Sequence, residues 1–156
     1  MRRSVPALFV AALFAAGACA SDTPETTIDD PEFVRRANAL CARSVPDLRA
    51  PDRQATSTSV VTAERLDEVA DGLAEVAADL RRVPVTDAAA DEVDAWLDDW
   101  ERFVEVGHRY AEAVEADDPE RYSRIDDEAV ELARRMGRFA RGNGIDDCVL
   151  LSLIHI

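Results

Sequence analysis

The chain has 156 residues, 18 basic against 32 acidic side chains, a formal net charge of −14, 47% hydrophobic residues and 6 glycines. This suits one small acidic domain. It excludes nucleic acid and anionic lipid headgroups as partners held by basic side chains, because binding of that kind works by neutralising phosphate. Every basic residue is arginine, and with no lysine and little isoleucine the composition reflects GC-rich codons and not chemistry.

Residues 1–18 read as a signal peptide: Arg2 and Arg3, an apolar run from Val5 to Ala16 too short to cross a ~30 Å hydrocarbon layer as a helix, then small residues. Ala16-Gly17-Ala18-Cys19 resembles a bacterial lipobox, with Ala16 where leucine is usual. That resemblance implies cleavage before Cys19, lipid on its thiol, and a membrane anchor for an extracytoplasmic protein. The rival reading is cleavage after Ala18-Cys19-Ala20, which discards Cys19 and releases a soluble product. Residues 19–30, rich in Ser, Thr, Asp, Pro and Glu, have too little apolar surface to fold and suit a polar tether. Losing Arg2 and Arg3 takes the net charge to −16.

The domain proper spans residues 31–150. Asp30-Pro31-Glu32 predicts a helix start, with an N-cap, a proline in the first turn and an acid beside it. Phe33, Ala37, Leu40, Cys41 and Ser44 share one face, and Pro46 is expected to stop the helix. Residues 46–59 read as a polar linker. A second helix of about 24 residues carries Leu66, Val69, Leu73, Val76, Leu80 and Val83 and ends in Arg81-Arg82 before Pro84, where cations suit the helix dipole. Thr86-Asp87 is expected to cap a third helix with the widest stripe, Val93, Trp96, Leu97, Trp100, Phe103, Val104, Tyr110 and Val114, ending at Asp117. Asp118-Pro119-Glu120 repeats the start signal, and Tyr122, Ile125, Ala129, Leu132, Met136 and Phe139 continue to Gly142. No segment alternates with period two as a strand does. Four one-faced helices predict an all-α four-helix bundle.

The last six residues, Leu151-Ser152-Leu153-Ile154-His155-Ile156, hold two of the five isoleucines and one of the two histidines. They resemble, codon for codon, the translation of a transposase adapter used in preparing sequencing libraries. Residues 151–156 are therefore read as a non-native tail, the alternative being a short natural apolar tail.

Setting Cys19 aside leaves Cys41 and Cys148, and in an exported chain the expected state is a disulfide between them. The alternative is two thiols, Cys41 buried and Cys148 exposed. The bond requires the end of helix one to meet the end of helix four. A linker crossing the bundle would achieve this by running helix one parallel to helices two and four, since fourteen residues reach ~46 Å and helix two would be ~36 Å long.

The lipobox-like signal, the tether, the amphipathic helices and the ending Gly144-Ile145-Asp146-Asp147-Cys148 together resemble small actinobacterial secreted lipoproteins, in which a Gly-hydrophobic-x-x-Cys ending is common. No activity is assigned to that group, so the resemblance implies location and fold and no mechanism.

Chemistry is sparse. Glu105-x-x-His108 has the spacing of di-iron bundles, but a second copy is missing. Met136 sits in the core stripe and is read as filler, not as an axial haem ligand with His108. Asp126, Asp127 and Glu128 are the least weak candidates for a hard cation such as calcium, though without EF-hand spacing. Trp96, Trp100, Phe103 and Tyr110 suit core better than a ligand pocket. No catalytic triad, reactive cysteine or phosphate-cradling loop is present. The expectation is a non-enzymatic binding or interaction module at the cell surface, with no cofactor, anchored to the membrane through Cys19 and engaging an unknown protein or small molecule. The alternative is a small-ligand or metal-ion binding protein of the cell envelope.

Overall fold

A computed structural model describes residues 27–49 and 62–150. The expected signal peptide, Cys19, the expected tether up to residue 26, most of the linker and the tail 151–156 lie outside the described residues, whereas Ile28 and Asp30, read as the end of the tether, are buried in the fold. The described chain forms four helices, α1 Pro31–Arg49, α2 Ala63–Arg81, α3 Ala90–Glu115 and α4 Pro119–Gly142, closed by a 3-10 turn at Asp146–Cys148. It is an all-α four-helix bundle in which α3 is the central element, packing on α2 and on α4, while α1 packs on α2 and on the closing turn.

Each helix forms for reasons readable in its residues. Asp30 Oδ1 accepts the Phe33 N–H at 2.9 Å, and Asp118 Oδ1 accepts the Arg121 N–H at 2.9 Å, so both Asp-Pro-Glu signals are N-caps. The predicted stripes form the core: Phe33, Ala37, Leu40 and Cys41 from α1, Leu73, Val76 and Leu80 from α2, Val93 to Val104 from α3, and Ile125, Leu132 and Met136 from α4 are buried. Leu66, Val69, Tyr110, Val114, Tyr122, Ala129 and Phe139 stand half-buried at its margin.

Several boundaries differ from expectation. Pro46 does not stop α1, which runs to Arg49 with Pro46 inside it. A proline so near a helix end removes one hydrogen bond of the last turn, and Val45, 1% exposed, holds that turn against the core where Ser44 was expected. Helix α2 has 19 residues, shorter than expected, because Thr62 caps it through its side chain at 3.2 Å from the Arg65 N–H. Thr86-Asp87 does not cap α3. Its N-cap is Ala89, without a side-chain bond, after a turn closed by the Ala89 N–H on the Thr86 carbonyl at 3.0 Å.

The ends of α3 and α4 use one device. Beyond α3 the Asp117 N–H donates to the Val114 carbonyl and the Asp118 N–H to the Ala113 carbonyl. Beyond α4 the Gly144 N–H donates to Arg141 and the Ile145 N–H to Ala140. Both are Schellman closures, which need a left-handed residue at the first position past the cap, and Asp117 (φ 52°) and Gly144 (φ 69°) supply it.

The sense of α1 is also corrected. The Ile28 N–H donates to Asn143 Oδ1 at 2.7 Å, and the Thr86 N–H to Asp30 Oδ2 at 2.8 Å. Helix α1 therefore starts where α2 and α4 finish, which a helix parallel to both would not do. The cysteines meet another way: past Gly144 the chain follows α1 in the same direction, with Gly144 and Asp147 on Asn38 and Cys148 on Cys41.

Candidate functional site

Cys41 and Cys148 are joined in a disulfide with Cα atoms 5.1 Å apart across 107 positions of sequence. Both are fully buried, so the pairing is structural and closed to solvent reagents. Asn38 prepares it: its Nδ2 donates to the Gly144 carbonyl at 2.6 Å and its Oδ1 accepts the Asp147 N–H at 3.1 Å, seating the closing turn one helical turn before Cys41.

The aromatic stripe of α3 fills the core. Trp96 stacks on Phe139 with ring centroids 5.1 Å apart, and meets Phe33 and Trp100 edge to face at 6.4 and 6.0 Å. Neither the Trp96 nor the Trp100 indole N–H meets a protein acceptor. Tyr110 packs on Tyr122 at 6.0 Å, and burial together with the charge of Asp126 raises its phenol pKa. An open groove of about 340 Å³ lies elsewhere, between α2 and α3, lined by Ala74, Ala77, Ala78, Arg81, Glu101 and Val104. Its polar groups are already engaged, since Arg81 pairs with Glu101 at 2.6 Å and also with Asp98 and Asp94.

Asp126, Asp127 and Glu128 are all exposed, and Glu128 reaches across to Arg109 on α3. Among the described residues, no group of three or more His, Cys, Asp and Glu side chains is arranged to hold a metal ion. No helix among them is long and apolar enough to cross a membrane.

His108 has partners the sequence did not suggest. Its helix neighbour Glu105 is exposed, and the contacts of the imidazole are on α2 instead: Nδ1 lies 2.6 Å from Asp67 Oδ1, and Nε2 lies 3.8 Å from Asp71 Oδ1. Asp67 and Asp71 are four apart, hence on one face of α2. Beside them the helices approach closely, because Gly107 has no side chain: a Cβ there would stand 3.1 Å from the Ala70 Cβ. Gly107, read with Ala70, was the signal available, but only knowing that α2 and α3 are neighbours gives it meaning. Asn38 and Asn143 were likewise missed, although an asparagine following Gly142 is a recognisable helix-end residue.

Comparison with known proteins finds no family model, no curated protein and no solved structure that matches this chain.

Proposed function

We propose that this protein is an extracytoplasmic, lipid-anchored helical domain that serves as a non-enzymatic binding or interaction module at the cell surface. The Cys41–Cys148 disulfide carries the reading. Disulfides persist in oxidising compartments and are rare where thiols are kept reduced, and in this chain the bond follows a signal-like segment ending at Cys19. The packed state of Trp96, Trp100 and Phe103 favours a surface that binds over an internal pocket that encloses.

The test is expression of the full chain in an actinobacterial host with metabolic labelling by a fatty-acid probe. The expected result is label on the wild type and none on Cys19→Ser, with Cys19→Ser moving from the detergent phase to the aqueous phase. Trypsin added to intact cells should remove the protein, since its exposed surface is rich in arginine. An unlabelled wild type, or a chain protected until the cells are lysed, overturns the reading.

A further inference from the structure

We propose that Asp71 and the Nε2 nitrogen of His108 form an open site for a late first-row divalent cation of the Zn²⁺, Ni²⁺ or Cu²⁺ class, with Asp67 as the positioning residue that holds the imidazole in its ligating orientation. This is independent of where the protein resides.

The geometry carries it in three parts. A carboxylate only accepts hydrogen bonds, so the 2.6 Å contact between Asp67 Oδ1 and His108 Nδ1 places a proton on Nδ1. In the neutral ring that leaves the lone pair on Nε2, the nitrogen turned toward Asp71. A carboxylate on one ring nitrogen with the other nitrogen free is the arrangement by which metal-ligating histidines are oriented and made more basic.

The second part is distance. Two ligands bonded at ~2.0–2.1 Å in a tetrahedral array stand roughly 3.4 Å apart. His108 Nε2 and Asp71 Oδ1 are 3.8 Å apart, and the Asp71 side chain is 75% exposed. A small rotation of that carboxylate closes the difference without moving either backbone. The third part is rigidity: the Gly107 to Ala70 approach fixes α3 against α2 next to all three side chains.

The ligand set selects the ion. One imidazole and one carboxylate favour late first-row metals, whereas calcium and magnesium prefer all-oxygen sites. Two protein ligands are fewer than the four of a structural zinc site. The bound ion keeps water in its remaining positions and exchanges freely, so the site captures metal and does not build the fold. The net charge of −14 assists capture by raising the local concentration of cations.

The experiment uses the full disulfide-intact chain with His155→Ala, so that His108 is the single imidazole, and titrates it with ZnCl₂. Nitrogen-15 NMR of the ring should show Nε2 shifting on addition of Zn²⁺ while Nδ1 stays protonated. Calorimetry should show binding lost in His108→Ala, weakened at least tenfold in Asp71→Asn and weakened about 10-fold to 100-fold in Asp67→Asn, with Asp126→Asn unchanged. Asp71→Asn separates the idea from a mere interhelical tie, because it leaves the His108–Asp67 bond intact. An unmoved Nε2 resonance at millimolar Zn²⁺, or affinity within twofold of wild type in both His108→Ala and Asp71→Asn, overturns the proposal. The NMR measurement needs no ligand variant, so a misfolded substitution does not protect it.

Discussion

Asp30 does two tasks with one carboxylate. Its Oδ1 caps α1 on the Phe33 N–H, and its Oδ2 accepts the Thr86 N–H from the loop between α2 and α3. These bonds, led by that from Phe33, hold its pKa below the usual carboxylate range. A depressed folded-state pKa contributes stability that is present above the unfolded value of about 3.9 and is lost as pH falls through the folded one. Asp30→Ala should therefore lower the melting temperature at pH 7 by more than Thr62→Ala, whose loss as a simple cap costs about 1 kcal/mol. The gap between wild type and Asp30→Ala should narrow below about pH 4, which thermal melts across pH 2 to 7 would show. A second test at this scale concerns the two left-handed residues. A Cβ at Gly144 would meet nothing within 4 Å, so Gly144→Ala isolates backbone strain and should cost about 1–2 kcal/mol. Asp117 already bears that strain, and Asp117→Gly should be neutral to stabilising by up to about 1 kcal/mol in urea denaturation.

Among the elements, α2 and α3 pair through small residues, and two glycines make opposite predictions. Gly107→Val forces branched carbon against Ala70, 3.1 Å from its Cβ, and should destabilise by about 1–3 kcal/mol as overpacking does. Gly137→Ala on α4 meets only the Arg141 guanidinium, which can swing away, so the gain in helix propensity of up to about 1 kcal/mol should appear as a higher denaturation midpoint. The helices themselves were legible because each one-faced stripe recurs every three or four residues, and burial of Phe33, Leu80, Trp100 and Met136 follows from that period alone. Their edges were less legible. Pro46 carries a local stop signal, but Val45 packs into the core and the last turn continues. Thr86 carries a local start signal, yet its N–H is taken by Asp30, 56 positions away.

For the whole molecule, α1 and the residues just before it are tied to the segment that closes α4: Ile28 to Asn143, Asn38 to Gly144 and Asp147, and Cys41 to Cys148. A crosslink spanning 107 positions restricts the unfolded chain strongly, about 4.7 kcal/mol in the chain-entropy estimate for a loop near that length, and 2–5 kcal/mol is the usual loss when such a bond is removed. Reduction and alkylation under denaturant, followed by refolding, should lower the melting temperature by roughly 10 °C, at about 4 °C per kcal/mol. An unchanged melt on material shown to be reduced would remove the structural role.

By itself the sequence determined the class of structure. Amphipathic period, Asp-Pro-Glu caps and the pairing of the two cysteines that follow the signal-like segment are local or compositional signals, and local physics is enough to read them. Tertiary structure alone decided which helices are neighbours, the sense of α1, and the meeting of His108 with Asp67 and Asp71, 41 and 37 positions away. The reason is physical: a helix periodicity tells a chain which face to bury but not against what. The apolar stripe of α1 is the same whichever way the helix runs, and its observed sense is marked by long-range hydrogen bonds that involve Asp30, Asn38 and Asn143.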